Sequence, residues 1–233
     1  MTDTALILAG GLGTRLRSVV ADAPKCMAPV AGKPFLQYLI DFYLKQNIRH
    51  FVFSLGYKHE QVTQFLQDNY PDHSFECVVE KEPLGTGGAI HYALKTVTVP
   101  QILILNGDTF FGVSVAALDA VHRKGNADCT IALKPMTNID RYGVVELDER
   151  GSITAFREKK QYAQGLINGG VYMLNVETFL SRKWPEKFSF ETDYLQSPTA
   201  HHLLGFPSDA YFIDIGIPED YARAQTELRD HII

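Results

Sequence analysis

The run Leu-Ala-Gly-Gly-Leu-Gly-Thr-Arg-Leu-Arg, from Leu8 to Arg17, could receive phosphate. Glycines at 10, 11 and 13 let backbone amides approach an anion closely, and Arg15 and Arg17 put cations beside them. No Gly-Lys-Ser/Thr ends the run, so it is not a P-loop. Leu16 stands where a dinucleotide fingerprint needs its third glycine. Lys25 lies a little further on, between Pro24 and Pro29, on chain that the two rings stiffen. Its place after the glycine loop makes it a candidate phosphate contact.

A second glycine-dense turn, Glu-Pro-Leu-Gly-Thr-Gly-Gly-Ala from Glu82 to Ala89, should lead into a helix opened by Gly87 or Gly88. Its small residues would leave room for a flat base. A carboxylate at Glu82 could accept two N–H bonds from the Watson–Crick edge of guanine, whereas uracil or thymine offers one. Asp108, in Asn-Gly-Asp, and Asp214, in Phe-Ile-Asp-Ile-Gly, each close an apolar run. Two hard carboxylates from separate strand ends could hold one Mg²⁺ that also takes phosphate oxygens and water. Glu158 and Lys159 end another strand, and Asn168 precedes Gly169 and Gly170. Carboxylate and amide groups of this kind bind hydroxyl-rich ligands, and lysine binds their phosphates. No serine, cysteine or threonine is paired with a base in a way that suggests covalent catalysis.

Such residues need a frame that brings distant loops together. Apolar runs at Thr4 to Leu8, His50 to Leu55, Phe75 to Val79 and Gln101 to Asn106 read as strands. Amphipathic segments alternate with them, at 34–46, with Pro34 in the first turn, and at 58–68. That rhythm signals βαβ units. Ser114 should cap a helix over 115–124, and Gly125 should end it. After Asp128 the texture changes to strands at 128–134, 142–147, 152–157 and 166–174. A hairpin turn falls at 148–151 and a late strand at 211–214, before a helix over 218–229. The expected fold is a single α/β domain over 1–233, with a Rossmann-like, mostly parallel mixed sheet flanked by helices. A nucleotide-binding half (1–110) and a second half (111–233) should share a crevice at the carboxyl ends of the strands.

Composition agrees with an enzyme-sized core. The 233 residues are 45% hydrophobic and 11% aromatic, which excludes intrinsic disorder. The net charge of −5 argues against a nucleic-acid or anionic-membrane binder. Three well-separated cysteines form neither a disulfide framework nor a zinc knuckle. With no signal-like or bilayer-length apolar segment, a cytoplasmic location is expected.

Taken in order, these motifs resemble the sugar-1-phosphate nucleotidyltransferase family over nearly the whole chain, a GT-A-like fold. The resemblance implies that Leu8, Gly10, Gly11, Gly13 and Thr14 surround the nucleotide and that Arg15 binds its triphosphate. Lys25 would contact phosphate near the reacting centre, and Glu82, Gly85 and Thr86 belong to the base-reading segment. Asp108 and Asp214 match the metal ligands, Lys159 the sugar-phosphate contact, and Glu158, Asn168 and Gly169 the sugar contacts. The implied partners are GTP and a sugar 1-phosphate, with no nucleic acid or membrane, and a homo-oligomer is compatible with the sequence.

The stretches at 56–58, 141–146 and 165–172 are most similar to members that use GTP and a heptose 1-phosphate to supply precursors of surface glycans such as lipopolysaccharide. Guanylyl transfer to mannose 1-phosphate and uridylyl transfer to another sugar phosphate are the alternatives. Many relatives carry a carboxyl-terminal left-handed β-helix. This chain shows no hexapeptide repeats, so regulation through such an extension is not expected. A glycosyltransferase or a silent nucleotide-sugar sensor is disfavoured. Asp108 has no Asp-x-Asp partner at Phe110, and the charged residues of the site are all present.

Overall fold

The computed structural model describes residues 2–11, 23–197 and 202–231. Four parallel strands form one side of its nine-stranded sheet. They are β1 (Thr4–Leu8), β4 (His50–Leu55), β5 (Ser74–Val79) and β6 (Gln101–Asn106), in the order β6-β1-β4-β5. Between β1 and β4 lie a small ribbon of β2 (Pro29–Val30) with β3 (Lys33–Pro34) and helix α1 (Phe35–Lys45). Helices α2 (His59–Asn69) and α3 (Gly85–Ala93) make the next two crossovers.

The rest of the sheet is largely antiparallel. After β7 (Thr109–Phe111) and α4 (Val115–Gly125) come β8 (Cys129–Ile139), β9 (Val144–Leu147), β10 (Ile153–Phe156) and the long β11 (Tyr162–Asn175). Strand β11 joins the halves, pairing antiparallel with β6, β8 and β9. Helix α5 (Val176–Leu180) and β12 (Leu203–Pro207), which runs parallel to β8, precede β13 (Phe212–Asp214) and α6 (Pro218–Glu227).

Alternation along β1 shows why this strand lies at the centre. Ala5 and Ile7 pack on one face with Phe51, Phe53, Leu103 and Leu105, beneath α1, α2, α4 and α6. Leu6 faces the other way with Val52, Ile102 and Ile104, beneath α3, α5 and a π-helical turn over Phe190–Leu195. A strand covered on both faces reads as a continuous apolar run. At burial of ~25 cal/mol per Å², such a sandwich is the main stabilising contribution.

Three local expectations need correction. Gly125 is the last helical residue of α4, and Asn126 takes the left-handed turn at φ 47°. Asparagine tolerates that conformation better than most side chains. Pro34 caps α1 instead of sitting in its first turn, and α3 begins at Gly85, ahead of Gly87. Ser114 does cap α4, accepting the Ala117 N–H at 3.3 Å. No described helix is long and apolar enough to cross a membrane.

Candidate active site

Because β1, β4, β5 and β6 run parallel, their carboxyl ends share one rim. The chain leaves β1 towards β4 and returns through β6 on the other side, which opens a crevice at the switch point. A cavity of about 620 Å³ lies there, walled by Leu8 and Gly10 at the end of β1, Ser54 and Gly56 at the end of β4, Glu80 after β5, and Asn106 and Asp108 at the end of β6. Leu8 pairs with Asn106 in register, and the Gly107 N–H donates to the Leu8 carbonyl at 2.9 Å. Gly10 and Gly56 meet backbone to backbone, so a Cβ at Gly56 would stand 3.0 Å from the Gly10 carbonyl oxygen.

Of the residues singled out in the sequence, Leu8, Gly10, Gly11, Lys25, Glu82, Gly85, Thr86 and Asp108 all line this cavity. Gly13, Thr14, Arg15 and Arg17 lie outside the described residues. Glu158 and Lys159 are exposed on the segment after β10 and are not part of the cavity wall. Asn168 and Gly169 sit where the β8–β11 register shifts, in a strand bulge. Gly169 is filled against Phe111, while Asn168 accepts the Gly170 N–H at 3.0 Å and donates to the Tyr172 hydroxyl at 2.9 Å.

The charged centre is a triad. Lys25 Nζ lies 2.5 Å from Asp108 Oδ2 and 3.9 Å from Asp214 Oδ1. Strand β13 pairs with β7, which follows Asp108 directly, and the Ile215 N–H donates to the Asp108 carbonyl at 3.0 Å. Asp214 Oδ1 also takes the Gly216 N–H at 2.7 Å, and its Oδ2 the Tyr142 hydroxyl at 3.4 Å. Burial and the Asp108 charge push the Asp214 carboxyl above the usual carboxylate range, against the pull of Lys25. Tyr142 is raised as well, by burial and then by Asp214. Cys26 borders the cavity, but burial and the Asp108 charge push its thiol up to about 12, so it stays protonated and non-nucleophilic.

Part of the second glycine turn packs against protein. Gly85 has φ 74°, and a Cβ there would stand 2.5 Å from the Phe188 carbonyl oxygen. That same oxygen accepts the N–H groups of Gly87 and Gly88, and the Phe188 ring fills the space at Gly87. The third and fourth amides of α3 are therefore spent on protein. Glu82, Gly85, Thr86 and Ala89 remain on the cavity side, while Gly87 and Gly88 grip the 186–188 segment.

Sequence reasoning missed Glu80, Tyr57 and Glu191, which also line the cavity. Glu80 pins the turn by accepting the Ser54 hydroxyl at 3.2 Å and the Leu84 N–H at 2.9 Å. Its position directly after a strand was the available signal. Glu191 accepts the Thr86 hydroxyl at 2.7 Å and so ties the turn to the second half. Asp220 was missed too. Its buried carboxylate holds Arg141 at 2.6 Å and Arg223 at 3.0 Å, which places Tyr142 over Asp214.

A Rossmann-like crevice with two strand-end aspartates and a lysine between them suits chemistry on phosphates. Residues 4–231 match the nucleotidyl transferase family, and the chain belongs to it. It is 47% identical to D-glycero-alpha-D-manno-heptose 1-phosphate guanylyltransferase of Aneurinibacillus thermoaerophilus, covering 98% of this chain and 99% of that one. The enzyme of the same name from Campylobacter jejuni is 42% identical, over 93% and 96%. Among solved structures, HddC from Yersinia pseudotuberculosis complexed with GMP-PN superposes with a TM-score of 0.87 at 35% identity, covering 96% of this chain and 98% of that one.

Proposed function

We propose that this enzyme transfers GMP from GTP to D-glycero-α-D-manno-heptose 1-phosphate, giving the GDP-sugar and pyrophosphate. The observation that carries the reading is the Lys25–Asp108–Asp214 triad, whose Lys25 and Asp108 line a strand-end cavity, in a chain nearly half identical to a heptose 1-phosphate guanylyltransferase over its full length.

A sugar-phosphate oxygen attacks the α-phosphorus of GTP, forming a P–O bond as the bond to pyrophosphate breaks. The nucleophile is already an anion, so no general base is needed. Alignment can supply about 7–11 kcal/mol of the barrier, and fixed charges add to it. Gly10 and Gly11 bring backbone close to the nucleotide, and Lys25 reduces the repulsion between the two reacting anions. Arg15 is assigned the leaving pyrophosphate. Glu82, on the cavity lip, is assigned the guanine edge, and Glu80 holds the turn that carries it. Glu158, Lys159, Asn168 and Gly169 are assigned the sugar phosphate.

The donor set fits one hard divalent cation, for which Mg²⁺ is the proposed ion. Asp108 and Asp214 give two carboxylate oxygens on one side, and Mg²⁺ sites commonly take one or two carboxylates and complete themselves with phosphate and water. Among the described residues no cluster of three or more His, Cys, Asp or Glu offers a fuller protein cage. When bound, the cation would supply charge neutralisation to the phosphates. The reaction uses soluble substrates, which agrees with a cytoplasmic location.

The test is pyrophosphate release from a matrix of GTP, ITP, UTP and CTP against heptose, mannose, glucose and N-acetylated sugar 1-phosphates. GTP with the heptose phosphate should give the highest kcat/KM. ITP, which lacks the 2-amino group that Glu82 would bind, should lose about 10–100-fold, the worth of one hydrogen bond to a charged group. Preference for UTP or CTP would overturn the assignment of guanine, and preference for mannose 1-phosphate that of the sugar.

A further inference from the structure

In the substrate-free chain, the positive charge between Asp108 and Asp214 belongs to Lys25. Its side chain is 13% exposed, against 35% and 28% for those of Asp108 and Asp214, so Lys25 is the most enclosed side chain of the triad. The backbone beneath it is fixed. Lys25 opens a 3₁₀ turn after Pro24, and the Met27 and Ala28 N–H groups close on the Pro24 and Lys25 carbonyls at 2.8 and 3.1 Å. On the far side Gly216 leaves the room, since a Cβ there would stand 3.1 Å from Nζ. Among the described residues, the other groups that meet the pair are neutral donors: the Thr109 hydroxyl on Asp108, and the Tyr142 hydroxyl and the Gly216 amide on Asp214.

An ammonium and a divalent cation cannot share that place, because both need the same carboxylate oxygens and repel each other at contact distance. Phosphate offers the ammonium an equivalent partner, and Lys25 lines the cavity in which phosphate would lie. We infer that Lys25 is an internal counter-ion which closes the Asp108–Asp214 pair to metal until the phosphates of a nucleotide draw the ammonium away. Metal binding is then conditional on nucleotide, and the free enzyme does not accumulate a metal-loaded state. The inference rests on the reading of Asp108 and Asp214 as metal ligands given above.

The probe is Mn²⁺, followed by loss of the free-ion electron paramagnetic resonance signal as it binds the full chain, with and without a non-hydrolysable GTP analogue. Without nucleotide, Lys25→Met should bind Mn²⁺ at least ten-fold more tightly than the wild type, and Asp108→Asn in that background should remove the gain. The wild type should gain more affinity from the analogue than Lys25→Met does. Lys25→Gln, which keeps a donor without the charge, should repeat the gain and keeps the test readable should the methionine variant not fold. Equal affinity of wild type and both Lys25 variants in the absence of nucleotide overturns the part given to Lys25. If Asp108→Asn and Asp214→Asn leave nucleotide-dependent Mn²⁺ binding intact, the metal-ligand reading fails first and takes the inference with it.

Discussion

Asp214 stands directly opposite Thr109 in the β7–β13 ribbon, one residue from Asp108. Two carboxylates separated by more than a hundred residues of chain are thus brought together by strand register. A one-residue slip would turn Asp214 to the other face of the ribbon. Burial and the charge of Asp108 make this an unfavourable place for the Asp214 carboxylate, and Lys25 offsets it.

Asp214→Asn should lower kcat for pyrophosphate release by about 10²–10³, the usual loss when one preorganised charge is removed. Thermal stability should stay level or rise, because the repulsion from Asp108 is relieved. Steady-state kinetics beside a melting curve separate the two effects, and a variant with near-normal turnover would exclude Asp214 from the reaction.

Gly87→Ala should destabilise the fold by about 1–3 kcal/mol, the typical cost of overpacking, since the new methyl would run into the Phe188 ring. Phe188→Ala should recover part of that loss in the double variant, as expected of residues in contact. Urea unfolding of the four proteins measures the coupling. Strict additivity would mean that the two residues do not press on one another.

Arg141→Ala removes one partner of Asp220 but leaves Arg223 on it at 3.0 Å, so global stability should change little. The 140–143 segment, no longer tied to α6, should hold Tyr142 less firmly over Asp214. Because Asp214 is assigned to the metal, kcat for pyrophosphate release is expected to fall by about ten-fold, equivalent to ~1.4 kcal/mol. Unchanged turnover would separate the segment from the reaction.

His122 is buried on α4 beside the Thr130 hydroxyl at 2.9 Å, and burial depresses its pKa from 6.5 to about 4. The unfolded chain therefore takes up this proton at higher pH than the folded one. Its effect on stability is absent above pH 6.5 and grows as pH falls towards 4. The loss should be of order 3 kcal/mol at its limit, at 1.36 kcal/mol per unit. Unfolding free energies measured from pH 7 to pH 4 should show this slope, and His122→Gln should flatten it.

Much of the frame was legible because β1, β4 and β6 are buried on both faces, so their apolar runs coincide with their limits. The strand-end aspartates were legible for the same reason: each stops an apolar run. The use of the second glycine turn was not. Glycine signals only that something approaches closely, and here the approaching group at Gly85, Gly87 and Gly88 is the 186–188 segment, a hundred residues away. Glu80 and Asp220 escaped because a pinned carboxylate and a solvated one look alike until their partners are placed.

The amide of Asn168 has a further consequence. With its oxygen committed to the Gly170 N–H and its nitrogen to the Tyr172 hydroxyl, the side chain cannot flip. Any sugar reaching it meets a donor and an acceptor in preset positions, so epimers that exchange an axial for an equatorial hydroxyl would find the polarity reversed with no rotamer to accommodate them. Stereochemical discrimination would then be written into the strand irregularity itself, before the ligand arrives.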